Sequence, residues 1–128
     1  MTEDIIKEAI GAMNRAYAPY SSFKVGAALL TRGGEVYRGC NVENVSLGLT
    51  MCAERVALGG AVQAGAAELE RIAIVADSAE PIVPCGACRQ VLAEFRADLP
   101  IISSTLNGKV AEFSLDVLLP RARQGILQ

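Results

Sequence analysis

The residues most able to do chemistry are three cysteines and one glutamate in two short segments. Cys52 and Glu54 stand two positions apart, and Cys85 and Cys88 form a Cys-x-x-Cys pair behind a proline, in a chain without histidine. Three soft ligands beside an acid that need not ligate are typical of a zinc ion with an open fourth position. The pattern therefore predicts a reactive metal site.

Other interpretations of these residues stay open. Cys85 and Cys88 have the spacing of a thioredoxin-like redox pair, although that leaves Cys52 and Glu54 without a role. Cys40 could complete a structural site of four cysteines, which would also leave the acid idle; otherwise it is a small buried residue. Glu54, taken alone, is an ordinary solvated acid in the first turn of a helix.

The spacing also predicts that the site lies at the start of helices. Residues two apart on a helix do not share a face, so Cys52 and Glu54 can address one point only over the helix N-terminus. Cys85 and Cys88 would project from the first turn of a second helix, where the dipole and free N–H groups stabilise thiolate. We therefore expect two helix N-termini to converge on one ion.

Three thiolates leave a divalent ion formally anionic, so the site needs a positive group nearby. Arg55 directly follows the acid and is the best candidate to hydrogen-bond a thiolate sulfur. Gln90 could orient it. The alternative for Arg55 is a surface cation on a helix.

The hydrophobic pattern predicts four helices and five strands that position these residues. Thr2 is a candidate N-cap for the first helix, and Gly33-Gly34 and Asn107-Gly108 mark two hairpin turns. In chain order the elements are a helix at 3–17, strands at 23–30 and 35–40, a helix at 52–64, a strand at 71–76, a helix at 86–97, strands at 100–105 and 109–113, and a helix at 115–119. A hairpin followed by strand–helix alternation predicts an α/β fold, a three-layer α/β/α sandwich with one mixed sheet of about five strands, in a single domain over residues 1–128.

Composition limits the class of partner. The 128 residues are 52% apolar and carry a formal net charge of -2, which suits one buried core and a small-molecule partner rather than nucleic acid. The N-terminus is acidic, and no apolar run is long enough to span a membrane. We therefore expect a cytoplasmic protein without membrane or nucleic-acid partners, whose reduced cysteines serve as ligands or catalytic groups.

Four segments together resemble the short, homotetrameric class of zinc-dependent cytidine deaminases. They are residues 19–29 (PYSSFKVGAAL), 41–44 (NVEN), 48–55 (GLTMCAER) and 84–92 (PCGACRQVL). In order and spacing the resemblance covers nearly the whole chain, so the combination is far more specific than any single motif. It implies a cytidine deaminase-like fold and a homotetramer.

The resemblance implies hydrolysis of cytidine and deoxycytidine to uridine and deoxyuridine with release of ammonia, a reaction of pyrimidine salvage. One zinc ion per subunit, held by Cys52, Cys85 and Cys88, would activate water. Glu54 would be the catalytic residue that carries protons to N3 and then to the leaving nitrogen.

The resemblance also implies five substrate-binding residues. Asn41 and Glu43 would bind the ribose 3′-hydroxyl, since an amide beside a carboxylate offers a sugar both donors and acceptors. Phe23 would lie against the pyrimidine, and the backbone of Ala53 and the carbonyl of Pro84 would hold the polar edge of the base. From sequence alone the first three could instead be a turn-forming Asn, a surface Glu and a core Phe.

Two positions depart from the family pattern: Leu47 stands where Tyr is usual, and Arg123 where Phe is usual. Both lie in segments expected to meet in the oligomer, and Arg123 could stack on a base or be a solvated C-terminal residue. Deamination of a modified pyrimidine nucleoside or a nucleoside-like antibiotic therefore stays an alternative. A nucleic-acid-editing deaminase and a zinc-stapled binding module without catalysis are further alternatives.

Overall fold

The computed structural model describes residues 2–124, and its helices and strands follow the predicted order. No helix within that range has the length and apolar character needed to cross a membrane. In chain order the elements are α1 (Thr2–Met13), β1 (Val25–Thr31), β2 (Val36–Cys40), α2 (Ala53–Gln63), β3 (Leu69–Ala76), α3 (Gly86–Ala93), β4 (Pro100–Thr105), β5 (Val110–Ser114) and α4 (Leu115–Leu118), with a 3₁₀ turn at Leu47–Leu49 before α2.

The five strands form one mixed sheet in the order β2-β1-β3-β4-β5. β1 pairs antiparallel with both β2 and β3, and β4 pairs antiparallel with β5. β3 and β4 are parallel, which requires a crossover connection between them, and α3 lies in that connection. The predicted mixed five-stranded sheet is confirmed.

Helices cover both faces of the sheet. α1 packs its buried side chains against one face, and α2 and α3 pack against the other. Successive side chains of a strand point to opposite faces, so Ala73 and Val75 of β3 contact the α1 layer while Ile72 and Ile74 belong to the other cluster. The three-layer α/β/α arrangement is therefore confirmed, and both helices that follow a predicted metal segment lie on one face.

The first helix is shorter than predicted and ends at Met13. Tyr17 instead forms an isolated bridge with the segment after β2, and its N–H donates to the Asn41 carbonyl at 3.0 Å. Pairing with a distant segment thus outweighs the helical periodicity of this residue. Thr2 is the first residue of α1 rather than its N-cap, and its hydroxyl accepts a hydrogen bond from Arg71 at 3.2 Å.

The edge strand β2 lies directly against the backbone of α2 at Gly39. A Cβ at this position would lie 2.2 Å from the carbonyl oxygen of Ala53 and 2.5 Å from the nitrogen of Ala57. Both are backbone atoms, so no rotamer change can relieve the contact. Glycine at this position therefore determines how closely the first turn of α2 approaches the sheet, and Cys52 directly precedes that turn.

Substitution Gly39→Ala is expected to destabilise the protein by about 1–3 kcal/mol, because α2 must move away from β2. Gly59→Ala on the exposed side of α2 is the matched control: its Cβ would meet nothing within 4 Å. Alanine there is expected to stabilise the helix by up to about 1 kcal/mol. Urea unfolding of the two variants measures both effects, and equal unfolding midpoints would contradict the close-contact account.

Candidate active site

Cys52 and Cys85 each stand directly before a helix. Cys52 is the N-cap of α2, Cys85 is the N-cap of α3, and both have extended backbone conformations. Cys88 lies in the first turn of α3, so all three thiols belong to helix starts. The structure brings these two helix starts together, in the arrangement that the sequence spacing predicts.

The three sulfur atoms form a compact group in which all lie within 4.8 Å of one another. Sγ of Cys85 lies 3.8 Å from Sγ of Cys52 and 3.5 Å from Sγ of Cys88. A tetrahedral zinc ion bound by each sulfur at about 2.3 Å separates its sulfurs by about 3.8 Å. The donor type and the spacing both fit zinc, so these cysteines are positioned to hold the ion.

Cys40 lies outside this group. It ends β2 opposite Gly26 of β1 and lines a different cavity, beside Arg38 and Val56. Over residues 2–124 the group of side chains able to hold a metal contains Cys52, Cys85 and Cys88. The four-cysteine interpretation is therefore wrong, since within residues 2–124 no fourth His, Cys, Asp or Glu joins this group.

Glu54 lies in the first turn of α2 and is 4% exposed. It is not part of the group of metal-competent side chains. Burial raises the pKa of its carboxyl, while its own backbone N–H and the charge of Arg55 act in the opposite direction. Glu54 is therefore not the solvated surface acid of the alternative interpretation, and it is suited to alternate between its charged and neutral forms.

The thiols differ in how readily they lose a proton. Burial, followed by the nearby charge of Glu54, raises the pKa of Cys88. Partial burial opposes ionisation of Cys85 as well, but hydrogen bonds from the neighbouring thiols and from the N–H groups of Cys88 and Ala87 lower its pKa overall. Metal binding must therefore displace a proton from Cys88, whose thiol resists ionisation without a cation.

Arg55 supplies the positive charge that this group of sulfurs needs. Its Nη2 donates to Sγ of Cys52 at 3.4 Å and to the carbonyl of Thr50 at 3.3 Å. The hydrogen bond to Cys52 raises the pKa of the guanidinium further, so the charge is permanent. Gln90 does not meet Arg55 in this structure: its Nε2 donates to the Ala122 carbonyl at 3.1 Å.

A cavity of about 230 Å³ opens beside the sulfurs. Four of its lining residues belong to the predicted substrate-binding and catalytic set: Phe23, Asn41, Ala53 and Glu54. Four others were not predicted from the sequence: Val25, Thr50, Ile82 and Val83. The apolar pair 82–83, directly before the Pro-Cys segment, is the signal that could have indicated a cavity lining. The cavity is lined by Phe23, Val25, Asn41, Thr50, Cys52, Ala53, Glu54, Ile82, Val83 and Cys85.

Asn41 holds the segment that carries Phe23. Its Oδ1 accepts the N–H of Val25 at 2.9 Å, and its Nδ2 donates to the carbonyl of Phe23 at 2.8 Å. Asn41 is buried, and these bonds join the end of β2 to the start of β1, so it is not a local turn residue. Phe23 is 39% exposed at the cavity and is therefore not a core side chain.

Glu43 and Pro84 are not among the residues that line the cavity, although Pro84 stands between the lining residues Val83 and Cys85. Oε1 of Glu43 accepts the N–H groups of Tyr20 and Ser21 at 3.0 and 3.1 Å, and Oε2 accepts the Ser21 hydroxyl. The hydroxyl bond is the main cause that lowers the pKa of Glu43. Pro84 is buried, and its carbonyl accepts a hydrogen bond from Nε of Arg89 at 2.8 Å.

The two residues that depart from the family pattern are both at the surface. Leu47 is 68% exposed in the 3₁₀ turn. Nη1 of Arg123 donates to the Glu94 carbonyl at 3.3 Å, next to the carboxylate of the same residue. Neither Leu47 nor Arg123 lines the cavity beside the sulfurs.

The fold and the site together define a zinc-binding α/β domain with a buried acid next to the metal ligands. A family model described as the cytidine and deoxycytidylate deaminase zinc-binding region matches residues 1–103. The chain is 52% identical to the cytidine deaminase of Halalkalibacterium halodurans over 119 residues, which are 92% of this chain and 90% of that protein.

Solved structures give the same result. The crystal structure of cytidine deaminase from Burkholderia pseudomallei superposes with a TM-score of 0.92 at 48% identity and covers 94% of this chain and 98% of that chain. The crystal structure of cytidine deaminase from Mycobacterium tuberculosis superposes with a TM-score of 0.83 at 39% identity. The match covers 97% of this chain and 98% of that chain. The chain therefore belongs to the cytidine and deoxycytidylate deaminase family.

Substitution Cys85→Ala is expected to abolish stoichiometric zinc binding, because it removes one of three ligands. Cys40→Ala is the matched control, since Cys40 lies at another cavity, and it should retain one zinc ion per chain. Elemental analysis of the purified proteins measures the zinc-to-protein ratio. Loss of zinc from Cys40→Ala, or full zinc content in Cys85→Ala, would show that the ligand set is different.

Proposed function

We propose that this protein hydrolyses cytidine and deoxycytidine to uridine and deoxyuridine with release of ammonia. The observation that carries the proposal is the position of Glu54, a buried acid that lines the same cavity as Cys52 and Cys85. A carboxyl that is not a ligand but lies beside the metal ligands is suited to moving the protons of an activated water. The relatives named cytidine deaminase support the same substrate class.

Cys52, Cys85 and Cys88 would hold one zinc ion per subunit, and zinc would supply Lewis-acid activation of a water at the open position. In the proposed reaction water adds at C4, and Glu54 takes one of its protons and delivers it to N3. Glu54 then passes the second proton to the exocyclic nitrogen, the C4–N bond breaks, and ammonia leaves. Burial raises the pKa of Glu54, which makes the protonated form accessible for these transfers.

Arg55 would reduce the electron density that the thiolates donate to zinc. Its guanidinium hydrogen-bonds Sγ of Cys52, so part of the negative charge of that sulfur is shared with a cation. Without this contact, three thiolates would weaken the Lewis acidity on which water activation depends. We therefore propose that Arg55 supports turnover rather than substrate binding.

The substrate-binding proposal places the base in the cavity and the sugar towards Glu43. Phe23 would contact the pyrimidine face, and Ala53 and Pro84 would offer backbone groups to its polar edge. Asn41 keeps one amide hydrogen free beyond its bond to Phe23, and Glu43 keeps acceptor capacity beyond its three bonds. The cavity has a volume of about 230 Å³, whereas small-molecule pockets usually have volumes of at least roughly 300 Å³. The cavity would therefore hold the base, with the sugar partly outside.

We propose that the protein assembles as a homotetramer through the apolar surface around this cavity. Large apolar side chains follow one another along the segment after β2: Val45 is 77% exposed, Leu47 and Leu49 are 68% exposed, and Met51 is 48% exposed. Several exposed apolar side chains in one short segment are typical of an interaction site. Because Thr50 and Cys52 of the same segment line the cavity, a neighbouring subunit would also close the substrate site.

Light scattering coupled to gel filtration tests the assembly. Four copies of 13.5 kDa give about 54 kDa, which is the expected mass at micromolar concentration. Substitution Leu47→Asp places a charge in the proposed contact and is expected to lower the mass. A parent protein that elutes as a monomer would contradict the tetramer.

The proposal also includes a role in pyrimidine salvage in the cytoplasm, which is supported by the need of the three sulfurs for a reducing compartment. The alternative substrates are a modified nucleoside, a nucleoside-like antibiotic and a base in single-stranded nucleic acid. The formal net charge of -2 argues against the last of these.

Turnover of zinc-loaded Glu54→Gln is expected to fall by about 10³-fold, since glutamine keeps the shape of the side chain but cannot move protons. Glu112→Gln, an exposed acid on β5, is the control and should retain parental turnover. The measurement is the ultraviolet change with cytidine, deoxycytidine, cytosine and CMP in parallel. Near-normal turnover by zinc-loaded Glu54→Gln would rule out the proposed role of Glu54. A parent protein without activity on cytidine and deoxycytidine would rule out the proposed substrates.

A further inference from the structure

Arg89 connects the metal segment to the C-terminal part of the chain. It follows Cys88 on α3 and is half-buried, and its guanidinium donates to two backbone carbonyls in different parts of the fold. Nε donates to the carbonyl of Pro84 at 2.8 Å, and Nη1 donates to the carbonyl of Leu118 at 3.0 Å. Leu118 is the last residue of α4 and packs against the core, so its carbonyl has a defined position in the fold.

The hydrogen bond from Arg89 to the Pro84 carbonyl restricts the ψ angle of Pro84. The pyrrolidine ring locks φ of Pro84, and the peptide bond that follows is planar, so ψ of Pro84 is its remaining backbone freedom. Rotation about that bond would turn the carbonyl of Pro84 and shift Cys85, the next residue in the chain. A charge-assisted hydrogen bond from a guanidinium is about twice as strong as a neutral one and holds the peptide plane in one orientation.

We propose that Arg89 is a positioning residue that sets the Pro84–Cys85 peptide for metal binding and for the reaction. A carbonyl oxygen has two lone pairs and Arg89 uses one of them on Pro84, so the proposed contact with the amino group that leaves the substrate would need the second. The same bond keeps the N-cap thiol of Cys85 within reach of the other two sulfurs. The reaction part of this inference rests on the proposed function, whereas the metal part rests on the sulfur geometry alone.

The chain contains a second arginine with the same kind of contacts, which provides a matched control. Nη1 of Arg96 donates to the carbonyls of Leu69 and Glu70 at 3.1 and 2.9 Å, and its Nε contacts Asp98. These carbonyls belong to the N-terminal end of β3, whereas Pro84 follows its C-terminal end. Loss of Arg96 therefore removes a comparable set of hydrogen bonds to backbone carbonyls and leaves the contacts of the metal segment unchanged.

The test compares Arg89→Ala, Arg89→Lys and Arg96→Ala for zinc affinity by competition with a chromophoric chelator, and for kcat and KM on cytidine. Loss of a residue that orients metal ligands typically lowers metal affinity or activity by 10–100-fold. We expect about that loss of zinc affinity and of kcat in Arg89→Ala, with a smaller change in KM. Arg89→Lys keeps the charge but cannot hold both carbonyls, so it should fall between Arg89→Ala and the parent.

Arg96→Ala should lower thermal stability and leave zinc affinity and kcat within twofold of the parent. Zinc affinity within twofold of the parent in both Arg89 variants, or equal losses in Arg89→Ala and Arg96→Ala, would overturn the inference. Arg89→Lys decides the question if Arg89→Ala does not fold. A parent without cytidine deaminase activity would contradict the proposed function alone, because the zinc measurement still tests Arg89.

Discussion

Three sulfur atoms lie within 4.8 Å of one another where α2 and α3 begin, so the fold must hold them there against their mutual repulsion. Two thiolates at the 3.8 Å between Cys52 and Cys85 repel by about 4 kcal/mol at an effective dielectric constant of 20. The group is therefore stable in its charged form only beside positive charge. Two helix N-termini and the guanidinium of Arg55 provide part of that charge, and a divalent cation would provide the remainder. Burial raises the pKa of Cys88, so without a cation its thiol would keep its proton.

The scaffold has to hold two helix starts at one point. α2 and α3 lie on the same face of the sheet, and the parallel pair β3–β4 places α3 in a crossover there. The approach of Gly39 to the first turn of α2 fixes one helix start, and the bonds of Arg89 fix the segment before the other. The same rigid arrangement buries Glu54 next to the sulfurs without making it a ligand, so ligation and proton transfer are assigned to different groups.

Local patterns in the sequence were enough for much of this arrangement. Short apolar runs, turn signals and helical periodicities predict the five strands and the main helices. The spacing of Cys52, Cys85 and Cys88 predicts that each segment lies at a helix start, because that geometry is local. The patterns fail where a distant contact decides. Tyr17 leaves the helical periodicity to bridge the segment after β2. Separately, α3 ends at Ala93, short of the predicted residue 97. Gln90 contacts Ala122 rather than Arg55, a choice that depends on where the C-terminal segment lies.

X-ray absorption at the zinc edge of the loaded protein shows directly whether three thiolates hold the ion and leave one position open. We expect three sulfur scatterers at about 2.3 Å and one oxygen or nitrogen scatterer at about 2.0–2.2 Å. The lighter scatterer should change when a nucleoside is added, while the three sulfurs remain. Four sulfur scatterers at one distance would instead show a closed structural site with no position for water.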